Sequence, residues 1–238
     1  MASMLTQHII DSSLLGESYP IWALRSPNPI QSRVCLFLDA EIYLHRMEIE
    51  QWVKEWNETT DLPNISALFL SHIDQEHRHR DFICNEHYAQ FLVVELIPWL
   101  RGRGLLGDQS PVLVGLSLSG LAAIHAAWRH PHAFSGIVAQ SPSAWWNDEW
   151  LTREIKTNQS NMPKTWLSVG LQETEEDVFH PPSAMHQKTS QIESCRRLAN
   201  RLTSNAAGFH LHEYEGGHDP VCWRDELDAA FRWLLETS

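Results

Sequence analysis

Two hydrophobic periods alternate along the chain. Arg33 to Leu38 (RVCLFL), Ile65 to Leu70 (ISALFL), Pro111 to Val114, Gly136 to Ala139, Thr165 to Val169 and Phe209 to Tyr214 are short apolar runs, which predict strands. Between them lie segments with helical spacing. Ile42, Ile49, Trp52, Val53 and Trp56 predict a helix face over 42–56. Tyr88, Phe91, Leu92, Leu96, Trp99 and Leu100 predict another over 86–103, with Asn85 as N-cap and a kink at Pro98. Further helices are expected over 118–130, closed by Pro131, and over 191–202 and 219–235. Strands alternating with helices predict an α/β fold with a mostly parallel central sheet, covered by helices on both faces. The runs near Ile9 and over 21–24 predict an antiparallel hairpin at one edge. The polar stretch from Gln172 to Lys188 follows a strand, and so falls at the carboxyl edge of such a sheet, where sites form. No internal repeat or low-complexity tract interrupts the pattern.

Composition narrows the class. The 238 residues suit one large domain over 1–238, and 43% hydrophobic with 20% charged residues is ordinary for a globular enzyme. A formal net charge of −12 argues against a nucleic-acid or anionic-membrane partner. The N-terminal residues lack a basic stretch followed by a long apolar run, and no apolar run approaches a membrane span. Four cysteines without CxxC spacing imply neither metal nor redox pair, and a reduced cytoplasmic location is the expectation. Eleven tryptophans are more than a chain of this length usually carries, so some are expected in a pocket for flat groups.

The sharpest chemical signal is Val112-Leu113-Val114-Gly115-Leu116-Ser117-Leu118-Ser119-Gly120, running from a strand directly into a helix. A nucleophile elbow needs this context: the tight turn exposes the serine hydroxyl, and small residues two before and two after it let strand and helix approach. Ser117 is therefore the candidate nucleophile, with Ser119 replacing the usual second glycine. His218, in Glu215-Gly216-Gly217-His218-Asp219 after a late strand, is the candidate base. His125, on the helix behind the elbow, reads as structural. The acid is expected on the loop after the strand ending at Gly170, where Glu173, Glu175, Glu176 and Asp177 all qualify; position favours Glu173. An oxyanion hole is expected from the Leu118 N–H and that of Ala40 or Glu41. Alternatives are an acyltransferase using the same machinery, and a binding protein on a hydrolase fold without catalysis.

These segments together resemble the enterochelin (enterobactin) esterase family, within a wider esterase group that also holds the mycolyltransferases. Gly216-Gly217-His218-Asp219 with Cys222-Trp223-Arg224 is similar to its histidine segment, Ser141-Pro142-Ser143-Ala144-Trp145-Trp146 to its Ser-x-Ser-x-Trp-Trp segment. Arg80 to Asn85 resembles Arg-x-x-x-Cys-Asn, and Gly170 to Glu173 resembles Gly-x-x-Glu, favouring Glu173 as the acid. Ala40 stands where the family tends to have glycine. The resemblance covers about Arg33 to Trp233, without the extra N-terminal domain of the cytoplasmic members. It implies an α/β-hydrolase fold and a small-molecule ester substrate, a catechol-bearing trilactone siderophore carrying iron, with no cofactor. It further implies that Trp145 and Trp146 stack on catechol rings and that Arg80 and Arg224 face the anionic chelate.

Overall fold

The structure, a computed structural model, describes residues 5–28, 31–156, 161–181 and 183–236. Its frame is an eight-stranded sheet made of β1 (Thr6–Asp11), β2 (Ser18–Leu24), β3 (Arg33–Leu38), β4 (Ile65–Leu70), β5 (Val112–Leu116), β6 (Gly136–Gln140), β7 (Lys164–Gly170) and, numbered after a small hairpin described below, β10 (Phe209–Tyr214). The strand order is β1-β2-β4-β3-β5-β6-β7-β10. The expected hairpin β1–β2 lies at one edge, and β2 joins β4 antiparallel; every later pairing is parallel.

The strand sequences explain their place. β4 and β5 are buried at every position, as strands covered on both faces must be. Along β3, Leu36 and Leu38 enter one core while Cys35 and Phe37 enter the other, the two-residue alternation of a pleated strand. One face is covered by helices that include α6 (Ser117–Arg129) and α8 (Gln191–Leu202), the other by α1 (Ala40–Arg46), α2 (Ile49–Thr59) and α9 (Pro220–Leu235). On α9 the stripe Trp223, Leu227, Ala230, Phe231 and Leu234 turns inward.

Three expectations change in detail. The segment 42–56 is two helices rather than one, because a left-handed Glu48 (φ 48°) turns the chain. That turn lets Tyr43 and Met47 before it, and Ile49, Val53 and Trp56 after it, reach the same core. The region 86–103 begins at the expected Asn85 cap with α4 (Glu86–Gln90), but widens into a π-helical turn over Phe91–Leu96 before α5 (Ile97–Gly102). Pro98 offers no N–H to the preceding turn and crowds the carbonyl four residues back, so the irregularity lies upstream of it. Finally, α3 (Gln75–Asp81), α7 (Trp146–Glu154) and a hairpin of β8 (Val178–Phe179) with β9 (His186–Gln187) occupy stretches whose sequence pattern gave no element. Within α7, Asn147, Asp148 and Glu149 are left-handed, which breaks the helical periodicity.

Candidate active site

The carboxyl ends of β5, β6, β7 and β10 converge, and each is followed by a residue of the site. After β5 the chain turns into α6 at Ser117, whose φ of 52° is unusual for a residue with a side chain. Gly115 makes the turn possible: a Cβ there would meet the Ser119 carbonyl oxygen at 2.3 Å. Ser119, in place of a glycine, fits because its buried hydroxyl accepts the Leu116 N–H at 2.9 Å and reaches the Leu116 carbonyl at 2.8 Å. The substitution thus closes the elbow from within.

Ser117 Oγ lies 3.1 Å from His218 Nε2, and His218 Nδ1 lies 2.6 Å from Glu173 Oε2. Of the four acids in the loop, Glu173 is the one brought to the histidine. It is 6% exposed, and its other oxygen receives the Ser141 hydroxyl at 2.6 Å and the Gly170 N–H at 2.8 Å, with the Tyr214 hydroxyl 3.1 Å away. Burial alone would raise the carboxyl's pKa; the bonds from His218, Ser141 and Gly170 outweigh it and hold Glu173 below the usual carboxylate range. The loops bearing acid and histidine are also tied through their backbones, Leu171 N–H to the Tyr214 carbonyl and Gln172 N–H to that of Gly216, each at 2.9 Å. Trp223 sets its ring edge-on to His218, centroids 4.7 Å apart at 89°. Ser143 Oγ approaches Ser117 Oγ at 3.4 Å, and its N–H donates to the Ser117 carbonyl. His125 is buried behind the elbow and pushed down to about 4 by that burial.

Ser117 and His218 open onto a cavity of about 620 Å³, whose walls include Leu118, Arg78, His79, Trp145 and His180. Ala40 and Glu41 are not part of that lining. Ala40 is buried at the start of α1, and the Glu41 carboxylate accepts the Ser71 hydroxyl and pairs with His72. Trp145 is 4% exposed: its indole N–H donates to Gln191 at 2.5 Å and the His180 ring lies parallel on it, 4.8 Å away, so the cavity is offered His180 rather than a bare tryptophan face. Trp146 stands outside this cavity, edge-on to Trp150. Neither arginine expected to face substrate lines the cavity. Arg80 pairs with buried Asp81 at 2.7 Å, and Arg224 pairs with Asp225 at 3.0 Å.

Sequence reasoning missed Arg78, the guanidinium that does line the cavity. It grips both oxygens of buried Asp39, at 2.6 to 3.0 Å. His72 sits between Asp39 and Glu41, and is pushed up to about 9: burial opposes its charge, but bonds to the two carboxylates prevail. Among the described residues, Asp39, Glu41 and His72 form the one group with metal-ligand proximity. With Arg78 and His72 beside them, both carboxylates already have cationic partners. No described helix is long and apolar enough to cross a membrane.

Comparisons with known proteins bear on the family and the fold. A family model described as "Putative esterase" matches residues 24–234. The iron(III) enterobactin esterase of Dickeya dadantii is 27% identical over 98% of this chain and 55% of its own length. That of Escherichia coli K12 is 23% identical over 91% and 53%. The chain thus spans about half the length of these curated relatives. The enterobactin esterase of Shigella flexneri, crystallised in the presence of enterobactin, superposes with a TM-score of 0.82 at 21% identity, over 97% of this chain and 59% of that one. That likeness shows the α/β-hydrolase fold.

Proposed function

The chain belongs to this esterase family, and from that premise we propose that it is a serine esterase whose substrate is an enterobactin-type siderophore. The observation carrying the reading is the alignment of Glu173, His218 and Ser117, at 2.6 and 3.1 Å, with a left-handed serine at the mouth of a cavity. His218 takes the Ser117 proton as the hydroxyl attacks the ester carbonyl, and Glu173 holds the imidazole tautomer and balances the imidazolium. The Leu118 N–H, at the first turn of α6, is the donor for the developing oxyanion; the expected second donor, Ala40 or Glu41, lies outside the lining of this cavity. Water then releases the acyl group, with His218 again the base. None of these steps requires a cofactor, and iron belongs to the substrate.

Substrate class is supported by the relatives' names. Arg78 is the guanidinium on the cavity wall, where it shares its charge with buried Asp39, and burial lowers the pKa of His79 and His180 on the same wall, so both favour the neutral ring that stacks on flat groups. Arg78, rather than Arg80 or Arg224, is the guanidinium that lines this cavity. The test is hydrolysis of p-nitrophenyl esters beside ferric and iron-free enterobactin. Ser117→Ala is expected to lower turnover by roughly 10⁴-fold or more with the fold intact. Near-normal activity in that variant sinks the nucleophile assignment, while cleavage of simple esters alone keeps it and discards the siderophore.

A further inference from the structure

Resting on the esterase reading, we propose that Ser141 is a positioning residue: its hydroxyl fixes one oxygen of Glu173 so that the other is held against His218, and Trp223 fixes Ser141 in turn. Ser141 follows β6 directly, is fully buried, and has a φ of 41°, a conformation that glycine would take with less strain. The backbone is pinned on both sides, its N–H to the Ser168 carbonyl at 2.8 Å and its carbonyl to the Gln191 amide at 2.6 Å. A strained, buried, non-glycine residue invites a functional explanation, and here the side chain supplies one.

The hydroxyl has one proton and two acceptor lone pairs. It donates to Glu173 Oε1 at 2.6 Å and accepts the Trp223 indole N–H at 3.1 Å, so its direction is set from behind. A carboxylate bonded only through Oε2 could swing about its terminal torsion. The Ser141 hydroxyl and Gly170 N–H on Oε1 restrict that swing and leave Oε2 for His218 Nδ1. Trp223 acts at both ends, because the ring whose N–H orients Ser141 also lies edge-on to His218. Acid and base thus share one brace.

The experiment compares Ser141→Gly and Ser141→Ala with the wild type, reading kcat and KM on a p-nitrophenyl ester, thermal stability, and the downfield proton resonance of the His218 Nδ1–H···Glu173 bond. Ser141→Gly removes the hydroxyl and relieves the positive φ, so its loss of function is separable from loss of fold. The expected result is kcat lower by roughly 10- to 100-fold, the effect of losing one hydrogen bond to a charged group, with KM unchanged and the resonance broadened or moved upfield. A kcat and resonance equal to wild type in Ser141→Gly overturn the proposal. If that variant does not fold, Ser141→Ala, which keeps a Cβ at the same backbone position, decides through the same resonance: moved, it supports the brace; unmoved, it overturns it. A wild type silent on every ester would refute the esterase reading, while the resonance would still decide the role of Ser141.

Discussion

Glu173 and Glu226 are both buried glutamates, 6% and 5% exposed, and Ser141 and its neighbour Gln140 bond to one each. Their acidities nevertheless run in opposite directions. Glu173 lies below the usual carboxylate range because donors reach both oxygens, one of them the His218 ring. Glu226, on α9, receives the Gln140 amide at 2.8 Å and the Ser168 hydroxyl at 2.5 Å, both on Oε1, while Oε2 has no partner among the described residues. Burial pushes its carboxyl up to about 7, the Ser168 and Gln140 bonds and the nearby Trp166 indole oppose the shift, and the negative charge of Glu173 adds to it. Burial alone does not decide whether a carboxyl is charged; the placement of donors decides. One glutamate is equipped to stay ionised beside a histidine, and the other titrates near neutrality.

Exchanging each carboxyl for an amide tests that contrast. The largest effect is expected from Glu173→Gln, which cannot hold an imidazolium: kcat should fall by roughly 10³- to 10⁴-fold, measured with the ester used for Ser117→Ala. Glu226→Gln should leave kcat within about threefold, since Glu226 contacts neither Ser117 nor His218. A large loss there would merge the two roles and break the comparison.

The stability effects of the two variants should depend on pH with opposite sign. Glu226 has a folded pKa raised above its unfolded value of about 4.3, so its contribution is present below that value and is lost as pH rises through about 7. Glu226→Gln should therefore gain stability relative to wild type between pH 5 and pH 8, on the order of 1–3 kcal/mol, read by denaturant unfolding at each pH. Glu173 has a depressed folded pKa, so its contribution is present above the unfolded value and lost as pH falls through the folded one. The deficit of Glu173→Gln should accordingly shrink in acid. The smallest change is expected from Tyr214→Phe. It removes one hydroxyl near Glu173 Oε1 and leaves the Ser141 and Gly170 donors, so kcat should fall only about two- to fivefold.

Much of this was legible in the sequence, because strand ends announce themselves. Apolar runs ending at Val114, Gly170 and Tyr214 pointed to the residues that meet at the carboxyl edge, and chain order then suggested Ser117, Glu173 and His218. The arginines were not legible. Arg78 and Arg80 are two positions apart on α3, about 200° around a helix, so one lines the cavity and the other pairs with Asp81. Without a helix in the pattern there was no basis for choosing between them. Arg224 belongs to a matching segment, but its side chain pairs on the outer side of α9. Trp145 was readable as a cavity residue; that His180 would cover its ring depended on a contact across 35 positions. Glu226 did leave a trace, as an acid three residues after Trp223 and one before Leu227, inside the apolar stripe of its helix.

The backbone bonds joining the loop of Glu173 to the loop of His218 have a consequence for how this site would come apart. Leu171 and Gln172 donate to carbonyls on the histidine side, so acid and base ride on one stitched unit, whereas Ser117 is carried by a separate strand and helix. Local opening should then separate the serine from an intact acid–base pair. In amide hydrogen exchange, Leu171 and Gln172 would share a single opening free energy, distinct from that of the elbow. The division would fall at the 3.1 Å contact between Ser117 and His218.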